Sequence, residues 1–104
     1  MTSSMRELQQ AVQYLNNLPF PRGEHVSDLY ADLVEFDGYI NGLLQQVLHG
    51  KSPNHQLERD PKLRLKLEHA CSSESHGARN DAKKLLAYLD VLERTIDIAG
   101  QIHW

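Results

Sequence analysis

Cysteine is almost absent from this sequence, which has Cys71 as its single one in 104 residues. A single cysteine excludes the internal disulfide framework on which small extracellular domains commonly depend. No apolar run approaches the roughly 18 residues that a transmembrane helix requires, and no secretory hydrophobic segment opens the chain. We therefore expect a cytoplasmic protein with no membrane span.

The sequence also lacks the short motifs that mark common enzyme and cofactor classes. It contains no Gly-x-x-x-x-Gly-Lys loop, Gly-x-Gly-x-x-Gly fingerprint, His-Glu-x-x-His, Cys-x-x-Cys or Gly-x-Ser-x-Gly. The Glu-x-x-His motif of di-metal helical bundles does not occur either. These absences favour a non-enzymatic protein with no cofactor.

A strong excess of basic charge is missing too, since the formal net charge is −3. Residues 1–50 carry two basic and six acidic side chains, whereas residues 51–104 carry nine and eight. This asymmetry fits complementarity within the chain or between two copies at least as well as an external partner. The negative net charge argues against nucleic acid as the main partner.

Two long stretches repeat apolar residues at alternating spacings of three and four. This period is typical of an α-helix that buries one continuous stripe, and it predicts long helices over residues 24–49 and 78–102. The stripe positions are Val26, Leu29, Leu33, Phe36, Ile40, Leu43 and Val47 in the first helix, and Ala78, Ala82, Leu85, Leu89, Leu92, Ile96 and Ala99 in the second.

Two short helices complete the prediction, over residues 4–18 and 61–71. Asp60-Pro61 supplies an N-cap and a first-turn proline for the second of them, and Gly50 is a natural stop for the long helix before it. Asp37-Gly38 is a turn-forming dipeptide, so continuity of the long helix through residues 37–42 is left open. The predicted fold is all-α, a small bundle of four helices forming one domain over residues 1–104.

The last helix carries a second apolar stripe, rotated by about 100° from the first. A helix that is apolar over this arc is either the centre of the bundle or part of an interface between copies. At about 1.5 Å per residue, the short helices cannot cover the long ones unless they lie end to end or a second subunit helps. We therefore predict a homodimer, with a monomeric bundle as the alternative. The candidate interface residues are Tyr88, Val91, Thr95, Ile98 and Ile102.

The middle of the first long helix is polar where its flanks are apolar. Asp37 and Asn41 lie one turn apart there, beside Gly38 and Gly42. Two glycines four positions apart let another backbone approach closely. These four residues are our candidate site for a ligand or a protein partner, and the alternative is a structural polar pair at a helix crossing.

Charged and metal-ligating side chains give weaker signals. Asp28, Asp32 and Glu35 lie along one helix face, which fits a bound cation, a basic partner or a solvated surface. His69 and Cys71 are zinc-ligand types, but on a helix they point about 200° apart, so we predict no metal site.

Arg64 and His69 form an Arg-x4-His motif. It resembles the Arg-x4–6-His signature of HEPN-domain ribonucleases, which are small helical bundles and often dimers. The resemblance implies that these two residues act on an RNA phosphodiester at a dimer interface. A third interpretation is a nucleic-acid- or metal-binding helical protein, because the segment 51–66 is mildly basic. The interpretation we favour is a non-enzymatic interaction or regulatory module.

Overall fold

The computed structural model describes residues 3–53 and 56–102. It contains four α-helices, and one turn of 3-10 helix at Glu24–Val26 precedes the second of them. No strand occurs in the described ranges, so the all-α prediction is confirmed. The helices are α1 (Ser3–Asn17), α2 (Ser27–Leu48), α3 (Pro61–Ala70) and α4 (His76–Ala99).

The second helix runs without a break through Gly38 and Gly42. It begins later than predicted, because residues 24–26 form the tighter 3-10 turn. It ends at Leu48, one residue before the predicted end, and Gly50, the predicted stop, has a φ of 76°. The amide of Lys51 donates to the Gln46 carbonyl at 2.9 Å, and that of Gly50 to the Val47 carbonyl at 3.0 Å. These are the two hydrogen bonds of a Schellman motif.

The caps of α3 and α4 are side-chain oxygens. Asp60 accepts from the Leu63 amide at 3.1 Å, which confirms the predicted start of α3. Ser75 accepts from the Ala78 amide at 3.4 Å, so α4 begins at His76, two residues before the predicted start. It also ends at Ala99 rather than at residue 102.

The core forms where the predicted apolar stripes meet. Burial of each such leucine or isoleucine contributes about 1.5–3 kcal/mol, so the stripes stabilise the helices as well as orient them. All seven stripe positions of α4 are buried. The α2 stripe contributes Leu33, Ile40, Leu43 and Val47 to the core, and the short helices contribute Leu8, Val12, Leu15, Leu63 and Leu67.

The last helix is the centre of the bundle and packs on each of the other three. His25, in the turn before α2, contacts Asp81 of α4, and Asp37 of α2 contacts Tyr88 further along α4. The two contacts follow the same order along both segments, so α2 runs parallel to α4. α1 and α3 lie on opposite sides of the α2–α4 pair, because no Cα atoms of these two helices approach within 8 Å in the described ranges. The resulting bundle is elongated and flat, 48 × 23 × 16 Å.

One chain therefore buries most of the apolar surface of its own long helices. The short helices were expected to be too short to cover the long ones without a second subunit. Instead, α1 and α3 flank α4 on two different sides and together cover it. Among the residues described, no helix has both the length and the apolar character needed to cross a membrane.

Candidate functional site

The polar centre of α2 is built into its crossing with α4. The Tyr88 hydroxyl donates to Asp37 Oδ1 at 2.7 Å. Asn41 Nδ2 donates to the same oxygen and to the Asp37 carbonyl, each at 2.9 Å. Burial and the hydrogen bond to Asp37 raise the pKa of Tyr88 above its ordinary value. These contacts give Asp37 and Asn41 a packing role, and a ligand role for them stays a prediction.

The two glycines beside this centre point away from it, toward solvent. A Cβ atom at Gly38 or Gly42 would meet no atom within 4 Å. No other segment in the described part of the chain therefore packs closely against either glycine. We call this surface the small-residue face of α2, and it consists of Ala31, Val34, Gly38, Gly42 and Gln45, all exposed.

The second stripe of α4 is covered largely from within the chain. Tyr88 and Thr95 are 8% and 1% exposed, and the Phe20 ring packs on Tyr88 at 4.7 Å between centroids. Val91 and Ile98 line a shallow groove of about 360 Å³ against α1, and Ile102 packs partly buried against the core. An interface role for these residues stays a prediction.

A network of ion pairs joins α3 to α4. Arg64 Nη1 lies 2.7 Å from Asp90 Oδ1 and 2.7 Å from Glu93 Oε1. Arg59 approaches Glu93 at 3.6 Å and also pairs with Asp97. Glu93 is only 4% exposed, and its Oε2 has no hydrogen-bond partner among the described residues. The hydrogen bond with Asp90 raises the pKa of Arg64.

This network bears on the motif of Arg64 and His69. Two residues separated by five positions on an α-helix project about 140° apart, so the side chains of Arg64 and His69 leave α3 in different directions. Arg64 is turned toward the carboxylates of α4, whereas His69 is exposed. The structure does not bring the pair together, and the Arg64 guanidinium is already paired.

The basic segment 51–66 is divided in the same way. Arg59 and Arg64 face α4, whereas Lys62 and Lys66 line a groove between α3 and α2. The basic side chains therefore do not form one continuous surface.

Sequence reasoning missed a contact between residues 56 positions apart. The His25 amide and its ring Nδ1 both lie against Asp81 Oδ2, at 3.1 and 2.9 Å. These two hydrogen bonds lower the pKa of Asp81. The ring also requires Gly77, because a Cβ there would lie 2.6 Å from His25 Cδ2. The available signal was the position of Asp81 next to Ala82 on the buried side of α4.

Metal-ligating side chains do not converge in the described ranges. No three His, Cys, Asp or Glu residues there are arranged to hold a metal ion. Cys71 is a free, partly buried thiol.

Comparison of the chain with protein-family models, with curated proteins and with solved structures finds no match. The geometry of the described residues is thus the basis for a functional assignment.

Proposed function

We propose that this chain is a non-enzymatic helical interaction module of the cytoplasm that self-associates as a homodimer. A second copy packs on the small-residue face of α2. The observation that carries this proposal is the pair of exposed glycines at positions 38 and 42, which have open space beside them.

The cost of these glycines is the first argument. Each glycine inside a helix is less favourable than alanine by about 1 kcal/mol. In a single chain this cost has no compensation, because a side chain would fit at both positions. Close approach of another helix provides the compensation, since the helices pack nearer where the Cβ atoms are missing.

The distribution of residue sizes indicates a second copy as the partner. Val34, which is 43% exposed, lies one turn before Gly38, and Gly42 lies one turn after it. In a two-fold antiparallel pair centred on Gly38, Val34 of each copy lies opposite Gly42 of the other. A two-fold interface requires this kind of self-complementary surface.

The charge on α2 favours the same antiparallel orientation. All four of its acidic residues lie at or before Asp37, and the remainder of the helix carries none. A parallel pair would bring like charges together, whereas an antiparallel pair sets the acidic half of one copy against the uncharged half of the other.

The single cysteine, Cys71, supports the proposed cytoplasmic location.

The mass in solution of a glycine variant tests the proposal. Gly42→Gln adds a good helix former that fits the single chain but obstructs the partner. Sedimentation equilibrium is expected to show a dimer for the wild type and a monomer for Gly42→Gln. The matched control is Ala87→Gln, which introduces the same side chain at an exposed position of α4 and is expected to leave the dimer intact. A monomeric wild type, or a dimeric Gly42→Gln, contradicts the proposal.

The ribonuclease and nucleic-acid interpretations stay predictions. The ion pairs of Arg59 and Arg64 with carboxylates do not favour either, because a phosphate would have to displace them.

A further inference from the structure

A groove of about 400 Å³ lies between α2 and α3. Its floor is the partly buried Phe36 and the buried Leu63. Its two edges carry opposite charge, with carboxylates on the α2 side and ammonium groups on the α3 side. The charged edge residues are Asp32, Glu35, Lys62 and Lys66, and the lining also includes Asp60, whose carboxylate caps the Leu63 amide at the start of α3.

These four charged side chains are unpaired among the residues that the structure describes. None of them forms a side-chain hydrogen bond or an ion pair with another described residue. This contrasts with the other side of α3, where Arg59 and Arg64 are both paired. Phe36 supplies most of the accessible apolar floor, because Leu63 is only 3% exposed.

The dimensions of the groove limit what it can hold. Its α2 wall runs from Asp32 to Tyr39, which is about 10 Å along a helix axis. A docked amphipathic helix presents a row of apolar anchors at i, i+3 or i+4, and i+7, whereas the apolar lining of this groove is limited to Phe36, Leu63 and the Tyr39 ring. A volume of about 400 Å³ lies instead in the range of small-molecule sites.

We propose that the α2–α3 groove binds a small zwitterion with an apolar middle. Its cationic group, an ammonium or guanidinium, pairs with Asp32 and Glu35. Its anionic group, a carboxylate, pairs with Lys62 and Lys66, and the apolar middle lies over Phe36 and Leu63. A molecule with both charges satisfies both edges at once, whereas a molecule with one charge leaves an edge unpaired.

Titration with 6-aminohexanoate, followed by amide chemical shifts, tests this proposal. Saturable shifts are expected in residues 32–39 and 60–66. Hexylamine and hexanoate have the same apolar chain with one charge each, and each is expected to bind about tenfold more weakly. Added salt is expected to weaken the binding of 6-aminohexanoate. Absence of saturable shifts in the groove, or equal binding of the three compounds, overturns the proposal.

Charge variants locate the site. Lys62→Gln with Lys66→Gln is expected to reduce the affinity for 6-aminohexanoate to that of hexylamine, without changing hexylamine binding. Lys83→Gln with Lys84→Gln removes the same charge from exposed positions of α4 and is expected to have no effect. Equal loss in both pairs of variants would show that net charge alone is responsible and would overturn the assignment to this groove. The groove and the small-residue face share no residue, but Glu35 projects from α2 within about 20° of Gly42, so both titrations are made at a concentration where the protein is monomeric.

Discussion

His25 reaches one carboxylate oxygen of Asp81 with both its backbone amide and its imidazole Nδ1, at 3.1 and 2.9 Å. The contact ties the turn before α2 to the second turn of α4. It therefore joins the connection between the first two helices to the centre of the bundle.

The lowered pKa of Asp81 predicts how acid affects stability. In the unfolded chain this carboxyl titrates near pH 3.9, and in the folded chain it titrates lower because His25 donates to it. The contact thus stabilises the fold above about pH 4, and this stabilisation is lost as the pH falls through the folded-state pKa. We expect Asp81→Asn to lower the free energy of unfolding at pH 7, by an amount that shrinks toward pH 3.

Urea denaturation from pH 7 to pH 3 measures this difference. Glu74→Gln changes an exposed carboxylate just before α4 and serves as the control, with little expected effect. A difference for Asp81→Asn that stays constant down to pH 3 would show that the charge of Asp81 does not matter.

The buried Glu93 makes Arg64 the most sensitive charged residue for stability. Arg64→Ala leaves the Glu93 carboxylate buried with Arg59 alone, at 3.6 Å. Removal of one partner from a buried ion pair costs about 3–5 kcal/mol, and we expect the low end because Arg59 remains. Glu68→Ala, which breaks only the exposed pair of Arg64 with Glu68, should cost less than about 1 kcal/mol.

A double variant separates the charge from the packing. Arg64→Met combined with Glu93→Leu removes both charges, so we expect it to be more stable than Arg64→Ala in chemical denaturation. Equal destabilisation of the double variant and Arg64→Ala would mean that lost packing, rather than an unpaired carboxylate, is the cause.

The raised pKa of Tyr88 leads us to expect a lower free energy of unfolding at alkaline pH. Its pKa is raised by burial and by Asp37, so above about pH 10 the unfolded chain releases a proton that the folded chain retains. The free energy of unfolding should therefore fall as the pH rises past 10. Tyr88→Phe removes this dependence and, at neutral pH, costs about 1.5–3 kcal/mol for the lost hydrogen bond to the Asp37 carboxylate, whose Oδ1 keeps the bond from Asn41.

Tyr14→Phe is the matched control, because Tyr14 is 60% exposed. Its stability should stay within about 0.5 kcal/mol of the wild type at neutral pH. A Tyr88→Phe protein whose alkaline unfolding matches that of the wild type would show that the raised pKa of Tyr88 does not cause the loss of stability in alkali.

The glycines predict opposite effects of one substitution. Gly38→Ala should stabilise the single chain by about 1 kcal/mol, because the added Cβ meets open space. Gly23→Ala should destabilise it, because the added Cβ would lie 2.6 Å from Tyr30 Cβ. Thermal unfolding at a concentration where the protein is monomeric measures both, and a loss of stability in Gly38→Ala would refute the open environment of that position.

The periodic pattern was sufficient for the helices because helical period and burial are local properties of the sequence. Gly50 and Asp60-Pro61 were identified for the same reason, since a cap is decided within about four residues. Local pattern failed at Ser75, where a serine-rich turn offered several possible caps. It also failed at Glu24–Val26, because a 3-10 turn and a first α-helical turn share their residue preferences.

Contacts between helices were not predictable in this way. His25 and Asp81 are 56 positions apart, and Arg64 and Glu93 are 29 apart. Their meeting depends on how α2 and α3 pack on α4, and a single sequence does not specify that. The burial of Glu93 had a partial signal, since it lies one turn after Leu89 and three residues before Ile96, inside the covered arc. The groove between α2 and α3 had none, because its two walls come from different helices.

Disulfide trapping at position 38 tests the self-association through α2 most directly. In a Cys71→Ser background, Gly38→Cys places a thiol near the proposed two-fold axis, where the two Cα atoms must approach within about 7 Å to form a disulfide. Mild oxidation is expected to give a covalent dimer of twice 11.9 kDa for Gly38→Cys and none for Ala87→Cys. A Gly38→Cys protein that stays monomeric, or that cross-links no faster than Ala87→Cys, would contradict the account.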